Sequence, residues 1–207
     1  MRRPLFLPLI FLLLILFPLS AAARGGKRRS APDWRALTRG EQIASFTLTP
    51  RSKPLVRPYM QEEADRLTAV FPTEVTTLRD SLVVGVTLPS YRLFAGNDTL
   101  PSAEGVRLLQ AVAESIPGSN DFRLVVAVHT ADVGSVEYTI RLTRQRAETL
   151  AQCFQELLGE AAVVVPYGLG ATEPIDSNRT YKGRDANRRV ELWLVPSPAL
   201  ISRLTKR

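Results

Sequence analysis

Residues 125–147 (VVAVHTADVGSVEYTIRLTRQRA) constrain the fold of this chain more than any other stretch. The stretch begins as an apolar run, breaks at a polar turn between His129 and Gly134, and continues with apolar residues at helical spacing. A strand that is apolar on both faces is typical of the centre of a covered sheet. Arg144 and Arg146 follow in the helix, so the junction between strand and helix is a candidate site for holding an anion.

Strand and helix patterns alternate on both sides of this stretch. The sequence predicts strands at 82–88, 122–128, 162–165 and 189–195, and helices at 103–116 and 140–158. Ser102 is the expected N-cap of the first helix, Gly159 closes the second, and Pro166 is expected to end the third strand. This order predicts an α/β fold, a βαβαββ two-layer sandwich with helices packed on a small mixed sheet.

The ends of the chain are expected to lie outside that sandwich. Residues 1–23 resemble a signal peptide: two early arginines, an apolar run at 5–19, then small residues at 20–23. The run is short for a membrane span, although an uncleaved anchor is the alternative. Residues 24–58 are predicted to be a basic, proline-containing linker with a short extended piece at 43–48, and 59–79 a helical lead-in. The sandwich domain is expected at 80–198, followed by a basic tail at 199–207.

Several functional classes are not expected from the composition. Cys153 and His129 are the only cysteine and histidine, so neither internal disulfides nor a metal site is predicted. The basic residues near position 27 lack interleaved aromatic residues, which does not indicate a nucleic-acid-binding protein. His129, Asp132 and Ser135 lie in one short turn, and residues so close in sequence rarely converge as a catalytic triad. We therefore expect no enzymatic activity and no cofactor.

Three separated blocks of residues stand out in the sandwich domain. They are Leu93-Phe94 with Leu100; then His129-Thr130, Gly134-Ser135, Tyr138, Leu142-Thr143 and Arg146-Ala147; then Gly168-Leu169-Gly170, Pro174-Ile175, Asn178, Gly183-Arg184 and Asn187-Arg188-Arg189-Val190-Glu191. Together these blocks resemble the OmpA-like domain, a module of outer-membrane proteins, peptidoglycan-associated lipoproteins and flagellar stator proteins. The resemblance covers about residues 80–196.

The resemblance implies non-covalent binding of peptidoglycan through the diaminopimelate of its stem peptide. In the family, an aspartate after His-Thr and an arginine in the helix hold this zwitterionic group. The arginine matches Arg146, whose planar fork of donors suits a carboxylate. The aspartate falls on Ala131, and Asp132 comes one residue later. The ligand-binding residues expected from the resemblance are Thr130, Asp132, Leu142, Arg146, Asn187 and Arg189.

The resemblance also implies a place in the cell envelope. We expect a non-catalytic protein of the Gram-negative periplasm, associated with the outer membrane rather than spanning it. Its expected partners are peptidoglycan and outer-membrane or envelope-complex proteins. The offset between Ala131 and Asp132 supports an alternative, an OmpA-fold scaffold subunit of an envelope or secretion complex with weak or lost peptidoglycan binding. A stator-like anchor is disfavoured, because residues 4–23 contain no acidic residue.

Overall fold

A computed structural model of the protein describes residues 37–116 and 120–206. The predicted signal peptide and the first part of the predicted linker lie outside these residues. No helix within the described ranges is both long and apolar enough to cross a membrane. The helices are α1 (Arg39–Ala44), α2 (Lys53–Val70), α3 (Ser90–Leu93), α4 (Ala103–Ser115), α5 (Val136–Leu158), α6 (Tyr181–Asn187) and α7 (Pro198–Thr205). The strands are β1 (Val75–Leu78), β2 (Val83–Pro89), β3 (Phe122–His129), β4 (Val163–Gly170) and β5 (Arg189–Pro196).

The five strands form one mixed sheet in the order β1-β2-β5-β3-β4. β3 and β4 run parallel, and the other neighbouring pairs run antiparallel. The elements from β2 to β5 follow the predicted order βαβαββ, with α4 and α5 as the two helices between strands. The predicted fold class is therefore confirmed, and β1 adds an edge strand that the sequence pattern did not predict.

The two central strands are buried along their whole length. All eight residues of β3 and all eight of β5 are buried, as the doubly apolar pattern of β3 predicted. Side chains alternate between the faces of a strand, so Val190, Leu192 and Leu194 share one face of β5 while Glu191 and Trp193 share the other. The ring of Trp193 lies over Gly85 of β2, where an added Cβ would come within 2.3 Å of the ring.

The predicted caps agree with the structure. Ser102 accepts a hydrogen bond from the backbone N–H of Gly105 at 3.0 Å and so caps α4. Gly159 follows α5 with a φ of +86°, a conformation that suits glycine. On α4, Val106 is exposed, whereas Gly105 faces the backbone of Leu93.

β4 does not end at Pro166. The strand continues to Gly170, with Pro166 opposite Val126 of β3. β4 is the last strand of the sheet, so a proline there costs no hydrogen bond to a neighbour on the outer side. At Gly168, β4 approaches α5 so closely that a Cβ would lie 2.2 Å from the backbone nitrogen of Arg144. This glycine permits the close packing of β4 against α5.

The predicted linker and tail differ from the structure, because both contain helices. α1 begins with a capping box between Thr38 and Glu41, and α2 begins at Lys53, ahead of the predicted start at Tyr59. Pro54 lies in the first turn of α2, where proline is well accepted, and Pro58 lies inside that helix. The C-terminal segment forms α7, whose Leu200 is fully buried. The long polar loop before β5 likewise contains α6.

Candidate functional site

A cleft of about 310 Å³ lies between α3, the loop that follows it, α5 and the end of α6. Its lining combines aromatic, hydroxyl, amide and charged side chains, from Tyr91, Phe94, Ser90, Asn97, Arg146, Asp185 and Arg188. Such a mixture of apolar surface and a few convergent polar groups is typical of ligand sites. The cleft is therefore the candidate functional site.

Arg146 is the most buried charged residue that lines the cleft. It lies on the buried face of α5, between Leu142 and Leu150 at four-residue spacing. Its side chain crosses to the loop after α3, where Nε donates to the carbonyl of Asp98 at 2.8 Å and Nη2 to the carbonyl of Gly96 at 2.7 Å. These two bonds fix the plane of the guanidinium.

The aromatic ring of Phe94 packs against the same guanidinium group. The Cζ atom of Arg146 lies 4.5 Å from the ring centroid, within the range of a cation–π interaction. Burial lowers the pKa of Arg146 from its ordinary value, and the nearby Tyr138 and Asp98 oppose that effect. Arginine nevertheless stays protonated at neutral pH, so the cleft contains a fixed positive charge.

Two polar groups at the cleft have no hydrogen-bond partner within residues 37–116 and 120–206. In the described part of the chain, Nη1 of Arg146 makes no hydrogen bond, unlike Nε and Nη2. The hydroxyl of Ser90 also has no partner among these residues, although Ser90 is only 4% exposed. A buried hydroxyl without a partner is costly, which points to a bound group or water as its partner. Both groups can donate to an oxygen of a ligand.

Asp185 and Arg188 supply a second pair of charges. They lie one turn apart at the end of α6, and Nη1 of Arg188 is 3.0 Å from Oδ1 of Asp185. The backbone N–H of Ser90 donates to the carbonyl of Arg188 at 2.8 Å, which joins the end of α6 to α3. The cleft thus contains two arginines and one carboxylate, Arg146 from α5 and the other two residues from the end of α6.

Of the residues predicted to bind the ligand, Arg146 alone lines this cleft. Leu142 is buried on α5, and Thr130 is half-buried at the end of β3, where its backbone N–H donates to the carbonyl of Gly170 at 2.9 Å. Asp132 is exposed and makes no ion pair with the described residues. Ala131, at the position of the family acid, is 1% exposed. The turn after β3 therefore contributes no carboxylate to the cleft.

The structure places Asn187 and Arg189 in supporting positions. The Asn187 amide is fully buried: it accepts from the N–H groups of Ile175 and Asp176 and donates to the Asp176 carbonyl and to Asn178. These bonds hold the turn before α6.

Arg189 points to the other face of the sheet, where Nε donates to Glu191 at 2.8 Å and Nη2 to the carbonyl of Glu173 at 3.2 Å. Arg188 reaches the cleft instead. Neighbouring residues at a strand start point in opposite directions, which explains why only one of the two arginines lines it.

Glu191 is the centre of a buried group of charges on that other face. Its carboxylate accepts from Arg39 at 2.8 Å and from the indole N–H of Trp193 at 3.1 Å, besides Arg189. Burial alone would raise the pKa of Glu191, but His129, Trp193 and Arg189 outweigh burial and lower that pKa to about 2. His129 itself is buried in this group, with its Nε2 atom 3.4 Å from Oε1 of Glu191.

The other seven lining residues were not predicted as site residues: Ser90, Tyr91, Phe94, Gly96, Asn97, Asp185 and Arg188. No pattern in the sequence distinguishes Ser90 or Asn97 from other loop residues. Asp185 offered one signal, since it precedes Arg188 by one helical turn within a polar segment. That spacing shows only that the two side chains can meet, and not which cleft they enter.

The mixed sheet and the two helices between its strands define an α/β domain of the kind found in OmpA-like proteins. Residues 93–188 match the OmpA family. This match confirms the predicted resemblance over those residues, which make up slightly less than half of the chain.

Two known proteins that are similar to this chain are named for the outer membrane and for peptidoglycan binding. Outer-membrane lipoprotein YfiB of Pseudomonas aeruginosa is 30% identical over 105 residues, which make up 51% of this chain and 62% of that protein. Peptidoglycan-binding protein ArfA of Mycobacterium tuberculosis is 34% identical over 85 residues, or 41% of this chain and 26% of that protein. The chain thus spans less than two thirds of the length of each of these relatives.

A solved structure of similar fold is the cell wall anchor of the T6SS from Pseudomonas aeruginosa. The two chains superimpose with a TM-score of 0.55 at 25% identity. The alignment covers 68% of this chain and 99% of that chain.

Proposed function

We propose that this protein binds peptidoglycan non-covalently through the cleft at Arg146, and that the bound group is the diaminopimelate of the stem peptide. The observation that carries the proposal is the state of the Arg146 guanidinium. Two of its nitrogens are held by loop carbonyls, and the third, at the cleft, has no hydrogen-bond partner among the described residues.

A guanidinium held in this way suits a carboxylate. Arginine binds carboxylates strongly because its N–H groups match the spacing of the two oxygens and carry charge. The bonds to Gly96 and Asp98 orient the group before any ligand arrives, so less conformational entropy is lost on binding. The unpaired hydroxyl of Ser90 adds a further donor at the same cleft.

The relatives support a role in the cell envelope. One is described as an outer-membrane lipoprotein and another as a peptidoglycan-binding protein. In our proposal the protein is non-catalytic, resides in the periplasm in association with the outer membrane, and links that membrane or an envelope complex to the cell wall. The N-terminal residues 1–23 would then direct export as a signal peptide.

Co-sedimentation with purified sacculi tests this proposal directly. We expect the wild-type chain to sediment with sacculi and Arg146→Ala to bind roughly ten- to hundredfold more weakly, the effect of losing charge-assisted hydrogen bonds. Arg144→Ala is the matched control, because Arg144 is an exposed arginine on the same helix. It removes the same charge without touching the cleft, so it separates specific binding from general attraction of a basic chain to sacculi.

Two further measurements make the result decisive. Thermal unfolding of each variant shows whether the fold is retained at the assay temperature. Arg146→Lys keeps the positive charge but removes the planar fork, and we expect it to bind nearly as poorly as Arg146→Ala. Equal binding by wild type and Arg146→Ala would refute the role of Arg146, and an equal loss in Arg144→Ala would show that only net charge matters.

One observation favours a second candidate function. Ala131 is buried and apolar at the position where the family carries its acid. A chain that had lost affinity for the cell wall would serve as an OmpA-fold scaffold in an envelope or secretion complex. This candidate predicts that the wild-type chain does not sediment with sacculi, and that cross-linking in the envelope recovers a protein partner instead.

A further inference from the structure

Among the described residues that line the cleft, the one carboxylate belongs to Asp185 of α6. We propose that Asp185 pairs with the ammonium of the bound ligand and so provides the acid from α6 rather than from the turn after β3. This inference rests on the proposed function, since it names how the same cleft recognises the second charge of diaminopimelate.

The turn after β3 cannot provide this acid in the described structure. Its inward position is filled by the methyl group of Ala131, which is buried. Asp132 is exposed and does not line the cleft. Asp185 lines the cleft together with Arg146 and Arg188, and it is the only carboxylate among the described lining residues.

Two hydrogen bonds from Arg188 hold Asp185 in position. Its Oδ1 accepts from Nη1 of Arg188 at 3.0 Å, and its backbone carbonyl accepts from the N–H of Arg188 at 3.2 Å. The carbonyl of Arg188 in turn binds the N–H of Ser90 at 2.8 Å. Among the described residues Oδ2 has no hydrogen-bond partner, so one oxygen of the carboxylate is left for a ligand.

The charges around the cleft select the chemical class of the ligand. Two arginines and one carboxylate favour a group that carries at least one carboxylate and one ammonium, with the carboxylate toward Arg146 and the ammonium toward Asp185. A dicarboxylate without an amine would place a negative charge near the Asp185 carboxylate, and this repulsion is unfavourable. The amino-acid end of diaminopimelate has both groups on one carbon and fits this pattern.

The structure also offers a simpler role for Asp185. An exposed pair three residues apart stabilises a helix weakly, and the side chains of Asp185 and Arg188 are 44% and 38% exposed. The two roles differ in ligand selectivity. A purely structural pair would affect every ligand equally, whereas an ammonium-binding carboxylate affects only ligands that carry the amine.

NMR titrations of the full chain with two soluble probes separate these roles. Meso-diaminopimelate carries both charges, and pimelate has the same carbon chain and carboxylates without the amines. We expect the wild type to prefer diaminopimelate, and Asp185→Asn to bind it roughly tenfold more weakly while its affinity for pimelate is unchanged or higher. Asp132→Asn is the matched control and should behave as the wild type.

Each other outcome overturns the inference in a recognisable way. If Asp185→Asn binds diaminopimelate like the wild type, or loses both probes equally, Asp185 does not bind the ammonium. If Asp132→Asn loses diaminopimelate instead, the acid comes from the turn after β3 and the proposed function stands. If the wild type sediments with sacculi but binds neither probe, peptidoglycan binding stands while the diaminopimelate assignment and the role of Asp185 both fail. If the wild type neither binds a probe nor sediments with sacculi, the proposed function fails as well.

Discussion

Replacing Glu191 by glutamine should destabilise the fold in a way that depends on pH. The Glu191 carboxylate is 9% exposed and lies against Arg39 and Arg189, with the Trp193 indole as a further donor. Glutamine has almost the same shape but no charge, so Glu191→Gln removes the ion pairs and leaves the packing nearly intact. It would also weaken the attachment of α1 to the sheet, because Arg39 belongs to α1.

The expected magnitude follows from the pKa of this group. A pKa of about 2 in the folded chain, against an ordinary value of 4.5, corresponds to ~3 kcal/mol of stabilisation at neutral pH. Removing one partner of a buried ion pair costs about 3–5 kcal/mol in measured cases, which agrees in size. We therefore expect Glu191→Gln to lower the free energy of unfolding by ~3 kcal/mol at pH 7.

The pH dependence has a definite direction. Because folding lowers the pKa of Glu191, its stabilisation is complete above the unfolded value of 4.5 and is lost as the pH falls toward about 2. Between pH 6 and pH 3 the wild type should lose ~2 kcal/mol of the stabilisation that ionised Glu191 provides. The variant lacks this stabilisation at every pH. The other carboxylates titrate in both proteins, so the difference between the two proteins isolates Glu191.

Urea unfolding at pH 6, 4.5 and 3 measures that difference. The gap between wild type and Glu191→Gln should shrink steadily as the pH falls, because protonated glutamic acid and glutamine are alike in charge. A gap that stays constant from pH 6 to pH 3 would refute the reasoning. It would mean that the variant disturbs packing around Trp193 rather than an ionised carboxylate.

Three further predictions, one of them with a control substitution, test other parts of the structure by thermal or urea unfolding. Gly168→Ala should destabilise by ~3 kcal/mol, because its Cβ would meet the backbone of α5, whereas Gly40→Ala, with nothing within 4 Å, should be neutral or slightly stabilising. Arg146→Ala should cost ~2–3 kcal/mol, since two loop carbonyls lose a charged donor, and a loss below about 0.5 kcal/mol would contradict this. Ser135→Ala should cost ~1 kcal/mol through loss of the N-cap of α5, and an unchanged melting temperature would show that the cap is dispensable.

The regular elements of the domain follow from local patterns in the sequence. Helical and strand periodicities, together with the caps at Ser102 and Gly159, predicted α4, α5, β2, β3 and β5 in the correct order. These patterns are informative because burial of one face imposes a period of 3.6 on a helix and 2 on a strand. α1 and α7 were not predicted, and the start of α2 was placed at Tyr59 instead of Lys53, because the prolines and basic residues in and around these segments resemble those of linkers.

The site was only partly predictable. The resemblance to known OmpA-like sequences singled out Arg146, and the structure places that residue at the cleft with a guanidinium held by Gly96 and Asp98. Neither the contribution of Arg188 rather than Arg189 nor the presence of Asp185 could be read from the sequence. Both depend on how the end of α6 meets α3, through one backbone hydrogen bond between residues 98 positions apart.

The sequence by itself determined α4, α5, β2, β3 and β5 and the faces that they bury, and its resemblance to OmpA-like domains pointed to Arg146. Tertiary structure alone decided which charges share a cleft, that β4 continues through Pro166 at the sheet edge, and that Ala131 is buried. The physical reason is the range of the interactions. Periodicity and capping act between residues a few positions apart, whereas a binding cleft depends on contacts between segments that only the folded chain brings together.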